Sequence, residues 1–222
     1  MKDMNATARM AELLRRLKVE MNGAVVGGME SRGIVYPLSY GVSVPTIRAV
    51  AADFAPDHGL ARLLYRQQVR ELRLAALTVA DPAQVTPDTL PFWAAGVVNS
   101  EVAEHLGAVL LSRSGALAAA MRGWLDGGEP LLRHCAVVAA LKAMQRGAAV
   151  DVPTDEAIAL LESRFCDDGR ATLQASAELL ARLARRDEAS RKAVEALCGS
   201  WSGSDRAPLR YLAEEVAWRL PV

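Results

Sequence analysis

An all-α fold, an α-α superhelix of stacked helix pairs, is what this sequence predicts, and three observations carry it. Ala, Leu, Arg and Glu dominate the chain and β-branched runs are short, a composition that favours helix because these side chains lose little freedom there. Apolar residues recur at three- and four-residue spacing almost throughout, so they gather on one stripe of a helix, and no stretch alternates convincingly as a strand does. Clusters of Gly, Pro, Asn, Asp and Ser interrupt that pattern, leaving about a dozen helices of roughly 8 to 18 residues.

From the N-terminus, residues 1–34 read as a helical pair and 35–222 as the repeats of one domain spanning 1–222. The first long break runs from Gly33 to Gly41. It leads into Tyr40-Gly41-Val42-Ser43-Val44-Pro45-Thr46-Ile47-Arg48, where Gly41 can take a positive φ, Ser43 can accept a backbone N–H as N-cap, and Pro45 falls in a first turn that does not miss its donor. A helix therefore starts here. Further breaks fall at Ala55-Pro56-Asp57, Asp81-Pro82, Asn99-Ser100, Ser114-Gly115, Asp126-Gly127-Gly128, Gly147 to Thr154, Asp167-Asp168-Gly169 and Gly199 to Ser204. Helices opening near Val69, Ser100, Glu129 and Asp168 stand roughly 30 to 40 residues apart, the period of two-helix repeats. In such a stack one layer is buried and another lines a concave surface, the usual binding face. Leu131 to Met144 is apolar nearly all round its wheel, as a central helix should be, which makes Arg133 and His134 at its start conspicuous.

Composition narrows the function classes. With 51% apolar and 23% charged residues in 222, the chain supplies one sizeable core and shows no bias toward disorder or a fibre. Basic and acidic residues number 26 each, so the overall basic footprint of a strong nucleic-acid binder is missing, while a local basic face stays open. Cys135, Cys166 and Cys198 form neither a disulfide framework nor a zinc spacing, which suits a reducing cytoplasm. No apolar run approaches the ~20 residues of a membrane span, and the early Arg9, Arg15 and Arg16 leave no signal-peptide block. A soluble cytoplasmic protein is expected. Without a Gly-rich phosphate loop, an HExxH or a repeated CxxC, no cofactor and no metal is expected either.

The Tyr40 to Arg48 segment, together with Val69-Arg70-Glu71-Leu72-Arg73-Leu74-Ala75-Ala76-Leu77, resembles the DNA alkylation repair family of the AlkD type. That likeness implies a solenoid of HEAT-like repeats, double-stranded DNA as partner, and alkylpurine DNA glycosylase activity in the active members. In the family an aspartate just after a Trp-Asp pair stands near the lesion, and an arginine opening the next repeat's helix sits close to it. Here Val98-Asn99-Ser100-Glu101-Val102-Ala103-Glu104-His105 sets the tryptophan position on Asn99 and the aspartate position on Ala103, while Leu132-Arg133-His134-Cys135-Ala136-Val137-Val138 sets the arginine on Arg133. The family's aromatic position falls on Glu178, within Gln174-Ala175-Ser176-Ala177-Glu178-Leu179-Leu180-Ala181-Arg182. The resemblance is to a divergent member that keeps scaffold and arginine without the acid and the aromatic, and it implies DNA binding without efficient base excision.

On a helix from Ser100, residues Val102, Leu106, Val109 and Leu110 form a buried stripe, and Glu101, Glu104, His105 and Ser112 share the opposite face. That face is either solvated, with both glutamates near the N-terminal dipole, or a concave surface where Glu104 or Glu101 does catalytic work and His105 touches DNA. Arg133, opening an apolar helix, needs a partner: a carboxylate such as Glu101, Glu104 or Glu129, or a DNA phosphate, which suits a guanidinium. Arg48, Arg73 and Arg182 are further candidates for contacts along a DNA backbone. His134 and Cys135 point to different helix faces and form no nucleophile pair, and Trp93, Trp124, Trp201 and Trp218 fit core positions. The expected function is binding of damaged or distorted double-stranded DNA. The alternatives are a scaffold holding a protein or peptide in its concave face, and an active alkylpurine glycosylase using Glu101 or Glu104.

Overall fold

The computed structural model describes residues 5–165 and 168–220, so Cys166 lies outside the described residues. Thirteen α-helices follow one another there: α1 (Ala6–Lys18), α2 (Gly23–Glu30), α3 (Val44–Ala52), α4 (His58–Tyr65), α5 (Arg70–Val79), α6 (Leu90–Ala95), α7 (Ser100–His105), α8 (Leu117–Leu125), α9 (Pro130–Gln145), α10 (Thr154–Glu162), α11 (Arg170–Leu183), α12 (Glu188–Ser202) and α13 (Ala207–Arg219). Extended pairing among the described residues is limited to one isolated bridge, Leu38 with Val69. Six of the helix starts are set by short polar side chains: Asn5, Asn22, Ser43, Asp57, Asn99 and Asp187 each accept a backbone N–H from the first turn they precede.

The helices stack in two layers. Along the inner layer α3 packs on α5, α5 on α7, α7 on α9, α9 on α11 and α11 on α13; α4, α8, α10 and α12 cover its back. The four repeat starts read from the sequence, near 69, 100, 129 and 168, are the starts of inner helices α5, α7, α9 and α11. α9 runs through the middle with Cys135, Ala136, Ala139 and Ala140 completely buried, which explains why its wheel carries no polar stripe. α1 joins through Leu13 and Leu17, both fully buried, a burial contributing about 2 kcal/mol each.

Two glycines permit close approaches. Gly41 has φ 70°, and a Cβ there would sit 1.9 Å from the Asn22 carbonyl oxygen, so the turn before α3 accepts glycine alone. At Gly107 a Cβ would sit 2.5 Å from the Cys135 carbonyl oxygen, so its absence lets α7 and its continuation lie against α9. That continuation, Leu106–Leu110, is a π-helical turn, and its extra residue rotates everything after it. Val102, Leu106, Val109 and Leu110 are buried as the wheel predicts, but Ser112 is turned inward, 5% exposed, and donates to the Ala108 carbonyl. Trp93, Trp124 and Trp201 are core residues, whereas Trp218 corrects the expectation: it stands 83% exposed on α13.

Candidate nucleic-acid interface

The inner layer's free face is organised by a polar cluster at the start of α5 and α7. Arg70 donates from Nε to Glu101 Oε2 at 2.8 Å and from Nη2 to Glu101 Oε1 at 2.6 Å, and its Nη1 donates to the Val42 carbonyl at 2.8 Å and to Glu71 at 3.2 Å. Tyr36 Oη donates to Glu101 at 2.7 Å. Glu71, fully buried, accepts from the Tyr40 and Val42 amides and the Ser39 hydroxyl, fixing the turn into α3. Burial pushes the Glu101 carboxyl up, but the hydrogen bonds from Arg70 and Tyr36 outweigh it and hold the group below the usual carboxylate range. Both Glu101 oxygens are thus engaged, and this glutamate, expected as a catalytic candidate, is held in place as an anchored anion.

Above this floor lies a cleft of about 580 Å³. α2 and the residues after it supply Val25, Met29 and Arg32, α3 supplies Arg48, α7 supplies Glu104 and His105, and α9 supplies Lys142. Arg32, Arg48 and Lys142 form no ion pair among the described residues; Lys142 donates to the Gln145 side chain and Arg32 to its own helix carbonyl at Gly28. Next to them Arg146 reaches back across the π turn, donating to the Ala108 carbonyl at 2.7 Å and the Ser112 hydroxyl at 2.6 Å. Elsewhere part of the basic set is neutralised, as in Arg9–Asp57, Arg16–Asp53, Arg122–Glu156 and Arg191–Glu195, while others such as Arg62, Arg113 and Arg170 form no ion pair among the described residues. Three unpaired cations thus converge in the cleft, which also holds the carboxylate of Glu104.

Glu104 projects at the mouth, exposed and without a hydrogen bond or ion pair among the described residues. His105 beside it has a buried Nε2 with no partner, and burial followed by the charge of Arg48 lowers its pKa. One helix further along, His134 Nδ1 lies 3.2 Å from the Thr172 hydroxyl, and burial lowers its pKa against the opposing pull of Glu104. Ala103, the position matched to the family aspartate, is wholly buried. The carboxylates of α7 that reach the cleft are those at 101 and 104, two residues before it and one after it.

Of the other expected site residues, Arg48 and His105 line the cleft and three do not reach it. Arg133 corrects its assignment as a DNA contact: 2% exposed, it donates to Asp168 at 2.9 and 3.0 Å and to the Leu161 carbonyl at 3.2 Å, tying α9 to the start of α11. Its partner is neither a phosphate nor Glu101, Glu104 or Glu129. Arg73, 9% exposed, is spent on the Gly96 and Gln67 carbonyls. Arg182 pairs with Glu178 at 2.8 Å, and Glu178 also meets Arg219 at 3.3 Å, so the glutamate at the aromatic position serves a surface charge cluster. Arg32, Lys142 and Arg146 were missed; Lys142 and Arg146 are four residues apart at the end of α9, a spacing that does mark one helix face.

The family model of the DNA alkylation repair enzymes matches residues 28–197, a span that includes nearly all of this cleft. No curated protein sequence matches the chain. A solved structure from a new family of proteins related to the HEAT-like repeat DNA glycosylases with affinity for branched DNA structures superimposes with a TM-score of 0.73 and 14% identity, covering 94% of each chain. At that identity the likeness establishes the shared HEAT-like architecture. With well over half of its length inside the family match, this protein belongs to the DNA alkylation repair enzyme family.

Proposed function

We propose that this protein binds the backbone of distorted or branched double-stranded DNA in the cleft of its inner layer, without efficient base excision. The observation that carries the reading is the convergence of Arg32, Arg48 and Lys142, unpaired among the described residues, in one cleft of an otherwise charge-balanced family member. Unpaired cations on a concave face release counterions when phosphates dock, and this supplies affinity without sequence readout. The family and the branched-DNA affinity of the structural neighbour support the choice of ligand. Fluorescence anisotropy at low salt with four-way, bulged and linear duplexes tests it. Branched DNA is expected to bind most tightly and Lys142→Glu to weaken all three; equal, undetectable binding by every duplex contradicts it.

A second reading is favoured by Glu104. An exposed, unpaired carboxylate at the mouth of the cleft has the freedom a catalytic acid or base requires. Slow release of N3- or N7-methylated purine from alkylated DNA, abolished in Glu104→Gln, would establish it; no release at high protein concentration removes it.

A further inference from the structure

α13 ends the inner layer and carries two distinct faces. Its inward stripe, Leu209, Leu212, Ala213 and Val216, is buried as the helix packs on α11 and α12. On the other side Ala207, Arg210, Glu214, Ala217 and Trp218 are all exposed. These positions recur in steps of three and four residues, the spacing by which one helix meets another along a seam.

The terminal helix of a solenoid normally turns a polar outer face to solvent. This one presents an indole, for Trp218 at 83% is the most exposed large apolar side chain among the described residues. The ring is also held in place: the Arg219 guanidinium lies 5.5 Å from its centroid, and Arg219 is itself fixed by Glu178 at 3.3 Å and by Glu215. A tryptophan oriented before contact loses little freedom on docking, which suits it to anchor an interface.

The charges on this face complement one another. Arg210 donates from Nη1 to the Ser204 carbonyl at 2.6 Å and forms no ion pair, and Glu214 has neither hydrogen bond nor ion pair among the described residues. In an antiparallel pairing of two α13 helices about a two-fold axis level with residue 212, Arg210 stands opposite the partner subunit's Glu214. The same register sets Ala207 opposite the partner subunit's Ala217, and each contact occurs twice, as a two-fold interface requires. The small alanines let the backbones approach, and Ala207 leaves room beside it for the partner subunit's Trp218.

We propose that the exposed face of α13 docks on the α13 of a second copy of this chain, giving a two-fold symmetric dimer. This stands apart from the DNA-binding reading. A helix of 13 residues is about 20 Å long, so the contact falls among small interfaces, below about 1,200 Å² in total, and its dissociation constant is on the order of micromolar or weaker. A single-stranded nucleic acid stacked on Trp218 would instead meet the Glu214 carboxylate in the middle of the face, where it repels phosphate.

Sedimentation velocity of the full chain across the micromolar range tests it. The wild type is expected to pass from monomer to dimer as concentration rises, and Trp218→Ala to weaken association at least about ten-fold. Arg210→Glu and Glu214→Arg should each stay monomeric alone yet dimerise when mixed, since only the mixed pair restores both charge contacts. All three side chains are exposed, so the variants keep the wild-type fold, which circular dichroism checks. A wild type that stays monomeric throughout, a dimer unaltered by Trp218→Ala, or a mixture no more associated than the single variants would each overturn the proposal. Quenching of tryptophan emission by a single-stranded oligonucleotide, lost in Trp218→Ala and without any self-association, would also overturn it and give this face to nucleic acid.

Discussion

The Arg70 guanidinium and the Glu101 carboxylate meet in a two-point ion pair at 2.8 and 2.6 Å, with 3% and 14% of their side chains exposed. Thirty-one residues apart, they join the start of α5 to the start of α7 and, through Val42 and Tyr36, fix the chain segment that closes the cleft floor.

Glu101→Ala is therefore expected to leave Arg70 buried with a single remaining carboxylate and to destabilise the fold by about 3 kcal/mol. In a domain of this size that lowers Tm by on the order of 6–12 °C. Thermal unfolding measures it, and a shift under ~2 °C would mean that the pair contributes no more than a surface bridge.

The Arg133–Asp168 pair makes a different prediction. Removal of either partner strands a buried charge, so Arg133→Ala and Asp168→Ala should each cost about 3 kcal/mol, and the double variant less than their sum. Because Arg133 faces inward, DNA affinity measured on the folded fraction should stay within about two-fold of wild type. A large loss of affinity in a stably folded Arg133 variant would return this residue to the interface.

These two pairs mark where sequence reading stops. The start of α3 was legible because its causes are local: Ser43 accepts the Thr46 amide at 3.2 Å, Pro45 lies in the first turn, and Gly41 takes φ 70°. The start of α7 was legible for the same reason, through its Asn99 cap, whereas those of α5, α9 and α11, which carry no side-chain cap, were legible from the spacing of breaks. Partner identity was not, since Asp168 lies 35 residues from Arg133 and no local rule links them. The π turn hid the inward rotation of Ser112, and Arg32 reaches the cleft through the path of a linker that has no periodicity. Arg48, Glu104 and His105 could be placed on polar helix faces, but which faces line a cleft depends on how the helices stack.

Gly41→Ala combines a left-handed φ with a clash against the Asn22 carbonyl. The expected cost exceeds about 2 kcal/mol, with the turn and the Asn22–Tyr40 bond lost together. Urea unfolding checks it; Gly33→Ala, strained in φ but with nothing within 4 Å of its Cβ, should cost about 1 kcal/mol.

Acid should weaken the fold first through His105 in the cleft and His134 one helix further along. Burial holds the pKa of His105 and His134 below the ordinary value near 6.5, so the unfolded chain binds more protons as pH drops through that value. Their contribution is complete above pH ~6.5 and declines as pH falls toward the folded values, while the Glu101 contribution is lost only further down, below its usual range near 4.5. Tm at pH 5.5 should lie below that at pH 7.5, and His105→Gln with His134→Gln should shrink the difference. An unchanged difference would assign the effect to other groups.

The central claim is that unpaired cations in one cleft, rather than arginines scattered over the repeats, hold DNA. The most direct measurement is the salt dependence of affinity for a four-way DNA junction, in wild type, in Arg48→Ala/Lys142→Ala, and in Arg191→Ala on α12 as a control. Each phosphate contact removed lowers the slope of log K against log salt by about one. The account predicts a slope reduced by about two in the cleft variant and unchanged in the control; equal slopes in all three proteins would contradict it.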